Sequence, residues 1–541
     1  MTKSLYHIIM ESSEQNVLSS NRKGGFVLPQ AIIIGAGPAG LTAAYELLKQ
    51  TDIHPIVLEQ EDFVGGIART MVHNDCHIDV GGHRFFSKDP RVMALWKELL
   101  PVQGAPSLDD RLLHRSCELA QGGPDPEQTD RVMLLRTRLS RIRYLHHFFA
   151  YPVSLSGETI QNLGLARLFK VGISYLHACI RPREEKSLED FMVNRFGEEL
   201  YRMFFRDYTH KVWGRYPDAI DADWGSQRIK GVSIRKALAN LFSRKKTSEK
   251  ETSFIDRFLY PKYGPGQLWQ TMREEVEQMG GEVRLKSRVV RLLGIGKKLT
   301  GVVIETPDGE VTLKADYIFS SMPIAELADK LPNGALSDKA KATAEQLPYR
   351  DFITVGILAD KLSLTNETAQ PTLGNIPPDC WIYVQEPDIR MGRLQIFNNW
   401  SPYLVPDPAH QVWLGLEYFC SEGDALWQMR DDDFIEMAVE ELAKMGIVQR
   451  EHVKDAVRYR IKKAYPAYFD AYETFPAVRA ELDRIANLYC IGRNGQHRYN
   501  NMDHSMMTAF EAVRNIKEHF PDKENVWNVN TDKDYQETKK G

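Results

Sequence analysis

The distribution of apolar and polar positions near the start of the chain predicts a strand, a helix and a second strand in succession. The apolar run "AIII" at 31–34 is typical of a parallel strand that is buried on both faces. "LTAAYELLKQ" follows with the period of a helix, and "HPIVLEQ" then predicts another strand. This order is that of a βαβ unit, in which a helix connects two parallel strands.

Three glycines lie between the first strand and the helix, at the spacing G-x-G-x-x-G. The first allows a tight turn, the second lets the backbone approach a pyrophosphate at the helix N-terminus, and the third lets helix and strand pack closely. Glu59 lies near the end of the second strand, nineteen residues after Gly40, where an acid can bind a ribose hydroxyl. The predicted nucleotide-binding residues are Gly35, Gly37, Pro38, Ala39, Gly40 and Glu59.

Two glycine pairs follow this acid, one within "DFVGGIART" and one within "HIDVGGHRFF". Paired glycines allow the backbone to lie against a flat ligand, where a Cβ atom would collide. Two ordinary turns are the alternative for either pair alone. The residues that we assign to this part of a ligand site are Gly65, Gly66, Arg69, Gly81, Gly82 and His83.

Patterns further along the chain predict antiparallel strands and helices. "EVRLKSRVVRL" and "KLTGVVIETPDGEVTLKADYIFSSMP" alternate apolar and polar residues around a turn at Asp308-Gly309. "FITVGILAD", "RLQIFNNW" and "QVWLGLEYF" predict a further sheet, and 431–446 predicts a helix. The stretch after Ser187 has helical spacing, with Ser187 and Asp190 as a capping box.

Residues 143–183 combine aromatic and basic side chains, as in "LARLFKVGISYLHACIRPR". Such a stretch suits either contact with a membrane surface or a helix whose apolar face is buried. We expect the buried face.

The composition is that of a globular protein with a large core, because 43% of its 541 residues are hydrophobic and 26% are charged. A formal net charge of −4 argues against a nucleic-acid-binding protein, which is normally basic. The six cysteines contain no CxxC pair, so we predict neither disulfides nor a metal site, as in a reducing compartment. Residues 1–30 lack the pattern of a signal peptide, and we expect a cytoplasmic protein.

With these motifs the chain resembles the flavoprotein superfamily that contains amine oxidases, protoporphyrinogen oxidase, phytoene desaturase and UDP-galactopyranose mutase. Ile67 stands where amine oxidases usually have an arginine, which is similar to the mutase branch. "GGHRFFS", "HKVWG", "WGSQRIKG", "FLYPKYGPGQLWQ" and "AYPAY" also resemble mutase segments. The most specific match is "GRNGQHRYNNMDHSMMTAFEAVRNI" at 492–516, where the family has a segment that closes over the flavin.

The resemblance implies FAD as the cofactor and gives roles to residues that lie far apart in the sequence. Relatives hold adenine through backbone groups at the position of Val289 or Val290, and they contact the ribityl chain or a phosphate at that of Asp503. The further implied cofactor contacts are Val289, Val290, Gly492, Arg493, Asp503, His504 and Ser505. The implied catalytic residues are His83, Arg228, Tyr465 and Tyr499. Arg498 either stabilises an anionic flavin or substrate, as Arg228 and Arg493 would, or bridges two loops.

Two departures from the mutase pattern argue against UDP-galactose as the substrate. Leu358 stands where the mutases bind the substrate diphosphate with an arginine, and the loss of such a cation weakens binding of an unchanged ligand. Val153 and Ser154 follow Tyr151-Pro152, where the mutases place an aromatic residue and a glutamine beside uracil.

The predicted fold class is α/β. It comprises a Rossmann-type, glutathione-reductase-like FAD-binding domain that is assembled from discontinuous segments, and a substrate domain of helices and antiparallel sheet. The FAD-binding segments are 31–100, 255–330 and 480–520. The substrate domain consists of 101–254, mainly helical, and 331–479, sheet and helix. We expect the N-terminal extension 1–30 and the C-terminal tail 521–541 to be frayed.

Three functions are compatible with these features. The one that we favour is an FAD-dependent oxidoreductase that acts through flavin N5 on a sugar-like or isoprenoid-linked small molecule, with NAD(P)H as a transient reductant at most. The second is a UDP-galactopyranose mutase-like isomerase that uses reduced FAD on a sugar nucleotide or lipid-linked sugar. The third is a non-enzymatic escort-type relative without flavin, which the intact glycines and the terminal segment disfavour. A peripheral membrane contact stays open.

Overall fold

A computed structural model of the chain describes residues 22–23, 26–151, 157–220, 222 and 257–530. The residues fall into two compact units, each assembled from separate stretches of sequence. The first unit comprises the described residues of 1–66, 269–347 and 474–529, and the second comprises those of 67–268 and 348–473. Residues 67–100 and 257–268, which we predicted to be part of the FAD-binding domain, therefore lie in the second unit. Residues 331–347 and 474–479, which we predicted to be part of the substrate domain, lie in the first.

The strands and helices are numbered in chain order. The strands are β1 (Arg22–Lys23), β2 (Phe26–Val27), β3 (Gln30–Ile34), β4 (His54–Leu58), β5 (Thr70–His73), β6 (Cys76–Asp79), β7 (Met133–Thr137), β8 (Ser140–Tyr144), β9 (His147–Ala150), β10 (Arg257–Pro261), β11 (Glu282–Arg284), β12 (Arg288–Ile295), β13 (Lys298–Thr306), β14 (Gly309–Lys314), β15 (Tyr317–Ser320), β16 (Tyr349–Ala359), β17 (Trp381–Val384), β18 (Arg393–Ile396), β19 (Val412–Cys420), β20 (Val453–Pro466) and β21 (Leu488–Cys490). The helices are α1 (Pro38–Gln50), α2 (Pro90–Leu99), α3 (Leu108–Leu112), α4 (Gly157–Leu163), α5 (Leu165–Ile180), α6 (Leu188–Phe196), α7 (Glu198–Tyr201), α8 (Asp207–Trp213), α9 (Pro265–Gln278), α10 (Ile324–Lys330), α11 (Asp338–Glu345), α12 (Phe397–Trp400), α13 (Ala425–Gln428), α14 (Asp431–Lys444), α15 (Phe475–Asp483), α16 (Gly492–Gly495), α17 (Met502–Lys517) and α18 (Glu524–Trp527).

The central sheet of the first unit has five parallel strands in the order β11-β4-β3-β15-β21. The predicted βαβ unit is confirmed as β3, α1 and β4. The apolar run 31–34 is buried, and β3 lies inside the sheet with a strand on either side. The strand order reverses between β3 and β15, so the loops that follow these two strands diverge. In sheets of this kind the divergence leaves a crevice at the carboxyl ends of the strands, where ligands bind.

The prediction that all strands within 282–320 are antiparallel is wrong for two of them. β12, β13 and β14 form an antiparallel sheet with a turn before Gly309, as expected, whereas β11 and β15 join the parallel sheet. β11 is a short edge strand, and an alternating pattern in an edge strand does not distinguish parallel from antiparallel pairing.

The second unit is built around a seven-stranded sheet in the order β20-β16-β19-β18-β17-β8-β9. Only β17 and β8 pair in parallel, so the sheet is mixed. One of its faces packs apolar side chains such as Ile353, Leu394 and Leu416 against α14, which is the helix predicted at 431–446. The other face carries polar and aromatic side chains.

Residues 101–254 are less helical than predicted over their first part. β7, β8 and β9 occupy 133–150. The aromatic and basic stretch "RYLHHFFA" forms the end of β8, a turn and β9, which pair as antiparallel strands. The helix after Ser187 is confirmed as α6. Its capping box is also confirmed, with the Ser187 hydroxyl accepting a hydrogen bond from the Asp190 N–H and the Asp190 carboxylate accepting one from the Ser187 N–H.

The expectation of a buried apolar face is wrong for α5, whose apolar residues Leu165, Phe169 and Ile180 are exposed. The prediction of a frayed C-terminus from 521 is also wrong for α18. Trp527 is buried and donates a hydrogen bond to Asp483 over 2.7 Å, because the short helix packs its apolar side chains on the first unit. Within the described ranges, no helix combines the length and the apolar composition that crossing a membrane requires.

Candidate functional site

The surroundings of the three glycines at the junction of β3 and α1 differ, so glycine is required at each for a different reason or not required by the protein alone. Gly35 has φ +100°, and a Cβ atom there would overlap the Ser321 hydroxyl, so both the conformation and the space require glycine. A Cβ atom at Gly40 would overlap the carbonyl oxygen of Gly35, so this glycine allows the first turn of α1 to pack on the loop. A Cβ atom at Gly37 would meet nothing within 4 Å. The surface at Gly37 is therefore open, at the position predicted to face a pyrophosphate.

The N-terminus of α1 is available to an anion. Gly37 is the N-cap residue and Pro38 opens the helix, and among the described residues no side chain caps this end and no acid lies in its first turn. Uncapped N–H groups and the positive end of the helix dipole together form an anion-binding position. Ala39, which is buried, lies in this first turn.

Glu59 is bound directly to the glycine loop. Its Oε2 atom accepts a hydrogen bond from the Ala36 N–H over 2.8 Å, and Oε1 accepts one from the Glu61 N–H over 3.1 Å. Burial raises the pKa of Glu59, and these backbone hydrogen bonds oppose the rise. The acid therefore fixes the loop, in addition to the predicted contact with a ribose.

The first glycine pair also contacts this loop. The Gly65 N–H donates to the Ala36 carbonyl oxygen over 2.8 Å, and a Cβ atom at Gly66 would lie 3.6 Å from the Gly37 Cα. Val290 lies at a register shift between β12 and β13, where Val289 and Arg291 have strand partners and Val290 has none in the register. A bulge leaves backbone groups of the bulged residue outside the ladder, as a backbone contact with adenine requires.

The terminal segment meets the glycine loop within the first unit. A Cβ atom at Gly492 would lie 2.9 Å from the Ala39 Cβ and 3.9 Å from the Ser321 Cβ. The Gly492 N–H donates to the Thr508 hydroxyl of α17 over 2.9 Å, and α17 packs along α1. Two segments that are more than 450 residues apart in the sequence therefore meet at the start of α1.

The start of α17 carries the predicted residues Asp503, His504 and Ser505, all of which are buried. Asn501, which sequence reasoning missed, caps this helix, and the Nδ1 atom of His504 accepts a hydrogen bond from the Asn501 N–H over 3.2 Å. Burial lowers the pKa of His504, and neighbouring Asp503 opposes that shift. An Asn followed three residues later by a side chain that can accept a hydrogen bond is the signal that would have found this cap.

Arg493, Arg498 and Tyr499 form a structural group beside this helix. The Arg493 guanidinium lies 4.5 Å from the centre of the Tyr499 ring and donates through Nε to the Asn500 carbonyl. Arg498 donates to the carbonyl oxygens of Trp527 and Val529, so it bridges two segments of the chain. The predicted alternative of a bridging arginine thus describes Arg498.

The second glycine pair lies in the second unit, against a protein side chain. A Cβ atom at Gly82 would lie 2.7 Å from the indole ring of Trp381, and one at Gly81 would lie 4.0 Å from the Glu417 carboxylate. The flat group beside Gly82 is therefore Trp381. The Nδ1 atom of His83 donates a hydrogen bond to the Gly81 carbonyl oxygen over 2.9 Å, and Arg69 lies just before β5.

Polar side chains on the sheet of the second unit form a buried group that sequence reasoning missed. The Arg393 and Glu417 side chains form an ion pair over 3.3 Å, and the Gln395 amide donates to Glu417 over 2.8 Å. Burial raises the pKa of Glu417, and Arg393 opposes the rise. The signal was present in "RLQIF" and "GLEYF", because charged or amide side chains at alternate positions of fully buried strands must share a face.

Three buried polar atoms on this face that lie outside the Arg393–Glu417 ion pair lack a hydrogen-bond partner within the described part of the chain. They are Gln395 Oε1, Thr354 Oγ1 and Trp381 Nε1. Thr354 pairs with Glu417 in the register of β16 and β19, and Trp381 pairs with Gln395 in that of β17 and β18. Buried polar atoms are normally satisfied, so a group of unsatisfied ones is expected where a polar ligand or ordered water completes the hydrogen bonds.

Aromatic rings surround the ion pair. The Arg393 guanidinium lies 4.9 Å from the Trp381 ring and 4.6 Å from the Phe419 ring, and it donates to the Tyr465 hydroxyl over 3.4 Å. The centre of the Tyr383 ring lies 4.3 Å from that of Tyr151, with the two rings tilted by 32°. The predicted residue Tyr465 therefore belongs to this face, which we call the polar–aromatic face: Thr354, Trp381, Tyr383, Arg393, Gln395, Glu417, Phe419 and Tyr465.

The remaining predicted positions belong neither to the site around the glycine loop and α17 nor to the polar–aromatic face. Leu358 packs into an apolar cluster with Ile78 and Trp413, so no cation stands there. Arg228, Val153 and Ser154 lie outside the described residues. Among the described residues, no three His, Cys, Asp or Glu side chains are grouped as metal ligands would be.

A profile of the family described as flavin containing amine oxidoreductases matches residues 38–516. The chain belongs to this family. Membership implies a flavin cofactor, and the first unit fits FAD because it combines an uncapped helix N-terminus, an open surface at Gly37 and a carboxylate at Glu59.

Several solved structures share the fold of this chain. A reduced UDP-galactopyranose mutase is 21% identical with a TM-score of 0.71, covering 93% of this chain and 99% of that one. A protein from Exiguobacterium sp. 255-15, provisionally described as a protoporphyrinogen oxidase, is 16% identical with a TM-score of 0.63, over 92% and 100% of the two chains. A CLA-producing fatty acid isomerase from P. acnes is 13% identical with a TM-score of 0.54, over 91% and 99%.

Alanine substitution should separate the glycine that faces a ligand from the glycine that packs. We expect Gly37→Ala to leave the free energy of unfolding of the apoprotein within about 0.5 kcal/mol of wild type, because its backbone suits alanine and its Cβ meets open space. The affinity for FAD should fall at least ~10-fold, the equivalent of about 1.4 kcal/mol. Gly40→Ala should instead destabilise the apoprotein by about 3 kcal/mol or more, because its Cβ overlaps backbone.

Urea unfolding and calorimetric titration with FAD measure the two quantities. Gly172→Ala, where the added Cβ also meets nothing within 4 Å but lies on α5, is the matched control. It should keep the affinity for FAD, and its stability should rise by about 0.5–1 kcal/mol because alanine is favoured over glycine inside a helix. Wild-type affinity in Gly37→Ala would contradict the assignment of the pyrophosphate position.

Proposed function

We propose that the protein is an FAD-dependent oxidoreductase that acts through flavin N5 on a neutral, sugar-like or isoprenoid-linked small molecule. The observation that carries this proposal is the meeting of Gly492 with Ala39 beside the open surface at Gly37. Membership of a family of flavin-containing proteins rests on the match over 38–516.

Residues of the first unit would hold FAD along its length. The N-terminus of α1 and Gly37 would bind the pyrophosphate, Glu59 the adenosine ribose, and the backbone at Val290 the adenine. Asp503 in the first turn of α17 would contact the ribityl chain, where the helix N-terminus stabilises its negative charge. When bound, the flavin supplies a reactive N5 that accepts or donates a hydride, and the protein supplies position and electrostatics.

The polar–aromatic face supports a neutral substrate with hydroxyl groups. The charges of Arg393 and Glu417 cancel each other, so the face favours neither an ammonium group nor a diphosphate. Gln395 Oε1 and Thr354 Oγ1 can accept hydrogen bonds from hydroxyl groups, and the Trp381 N–H can donate one. Aromatic ring faces with a few convergent polar atoms are typical of small-molecule sites.

A second candidate is a sugar isomerase that uses reduced FAD without net oxidation. The same neutral, hydroxyl-binding face would suit a sugar ring, whereas Leu358 in an apolar cluster weighs against a diphosphate at that position. Such an enzyme would accept a lipid-linked sugar or another sugar with its charge elsewhere. NAD(P)H as a transient reductant remains a prediction from the sequence alone. The open surface at Gly37 weighs against the flavin-free escort protein.

Purification and anaerobic assay should distinguish these functions. We expect a yellow protein whose flavin spectrum bleaches when a sugar-like or isoprenoid-linked substrate is added to the oxidised form, with one equivalent of acceptor consumed per turnover. Turnover by the dithionite-reduced protein without consumption of reductant would identify the isomerase instead. A colourless protein that does not bind added FAD would contradict both.

Thr354→Val tests the polar–aromatic face. The substitution removes a buried hydroxyl that has no hydrogen-bond partner among the described residues, so we expect the ligand-free protein to gain about 1 kcal/mol in free energy of unfolding. If the substrate uses this hydroxyl, KM should rise about 3- to 10-fold, since one hydrogen bond is worth about 0.5–1.5 kcal/mol. Steady-state kinetics and urea unfolding measure the two effects.

Thr372→Val is the control, because the Thr372 hydroxyl already donates to the Ile376 carbonyl over 2.5 Å. It should lose about 1 kcal/mol of stability and keep its KM. A stabilised Thr354→Val variant with unchanged KM would remove Thr354 from the substrate site.

A further inference from the structure

Helix α5 carries a continuous apolar stripe that faces solvent. The residues of this stripe, with the exposed fraction of each, are Leu165 (81%), Phe169 (72%), Ile173 (53%), Leu176 (60%) and Ile180 (77%). Their spacing of four, four, three and four residues puts them on one side of the helix along its whole length. Single exposed apolar residues are ordinary, but a contiguous stripe of five marks an interaction surface.

Contacts with neighbouring residues of the second unit fix α5 with this stripe facing solvent. Val171 and Ala178 on its opposite side are buried, and the Ser174 hydroxyl accepts a hydrogen bond from the Glu199 N–H over 3.1 Å. Gly197 lies close against the backbone of Tyr175, where an added Cβ would come within 2.8 Å of its nitrogen. The exposed stripe is therefore a property of the folded unit and not of a frayed segment.

The charged side chains of α5 and of its C-cap residue are all positive. No Asp or Glu occurs between Leu165 and Ile180, and Lys170 and Arg181, which lie beside the stripe, are exposed and form no ion pair with any described residue. Arg183, by contrast, is paired with Glu189 and Glu198. Apolar side chains flanked by unpaired basic ones are typical of helices that lie in the interface of an anionic membrane.

We propose that α5 attaches the protein peripherally to the surface of an anionic phospholipid bilayer. The sixteen-residue helix is roughly 24 Å long, shorter than the ~30 Å hydrocarbon core, so it suits lying in the interface rather than crossing it. In that position the five apolar side chains enter the acyl boundary, and Lys170 and Arg181 contact lipid phosphates. A second copy is a poorer partner, because a symmetric contact through this face brings basic side chains near basic side chains.

Vesicle flotation tests the proposal with the FAD-loaded full-length protein. We expect the wild type to float with vesicles of phosphatidylcholine and phosphatidylglycerol, and to bind pure phosphatidylcholine vesicles at least ~10-fold more weakly, because each basic residue near an anionic surface adds affinity. Phe169→Gln should reduce binding to the anionic vesicles at least ~10-fold. Lys170→Glu should reduce it about as strongly, and added salt should weaken the wild type.

Phe520→Gln and Lys298→Glu are the matched controls. Phe520 is also an exposed phenylalanine (55%), and Lys298 is an exposed lysine on β13, so both variants should float like the wild type. The flavin spectrum of each variant verifies that the fold is retained, and light scattering after gel filtration gives the oligomeric state. Absence of vesicle binding, equal binding in Phe169→Gln and Phe520→Gln, or a wild-type dimer that Phe169→Gln converts to a monomer would each overturn the proposal.

Discussion

The structure of the first unit depends on close approach of backbone at the start of α1. The carbonyl of Gly35 fills the space where a side chain at Gly40 would be, and Ser321 fills the space beside Gly35. Gly492 brings the terminal segment against Ala39 on another side. With these positions closed by protein, Gly37 is the glycine of the loop that opens on space, at the uncapped N-terminus of the helix. The same packing that closes the fold thus leaves one place for a phosphate group.

The second unit meets a different constraint, because its sheet is buried on both faces while only one face is apolar. Ile353 and Leu416 pack against α14 on one side. On the other, Arg393 and Glu417 are taken out of water together, which is tolerable because each neutralises the other. Atoms that stay unsatisfied there, such as Thr354 Oγ1, cost stability, and proteins retain such costs chiefly at functional positions.

Much of the first unit could be predicted from the sequence because its signals are local. Gly35, Gly37, Gly40 and Glu59 follow one another at fixed spacing, and that spacing already implies a strand, a turn and a helix. Which residues meet on the polar–aromatic face could not be predicted, because that depends on the register of five strands that are distant in the sequence. Periodicity predicted an apolar stripe on α5, but whether another element covers such a stripe is decided by tertiary packing.

The account rests on FAD lying with its pyrophosphate at Gly37 and its adenosine at Glu59. Calorimetric titration of the apoprotein with FAD and, in parallel, with FMN tests this most directly, because FMN has the same flavin ring but neither the pyrophosphate nor the adenosine. The account predicts that FAD binds at least ~100-fold more tightly than FMN, equivalent to about 2.8 kcal/mol from two groups of contacts. Equal affinity for the two flavins would contradict it.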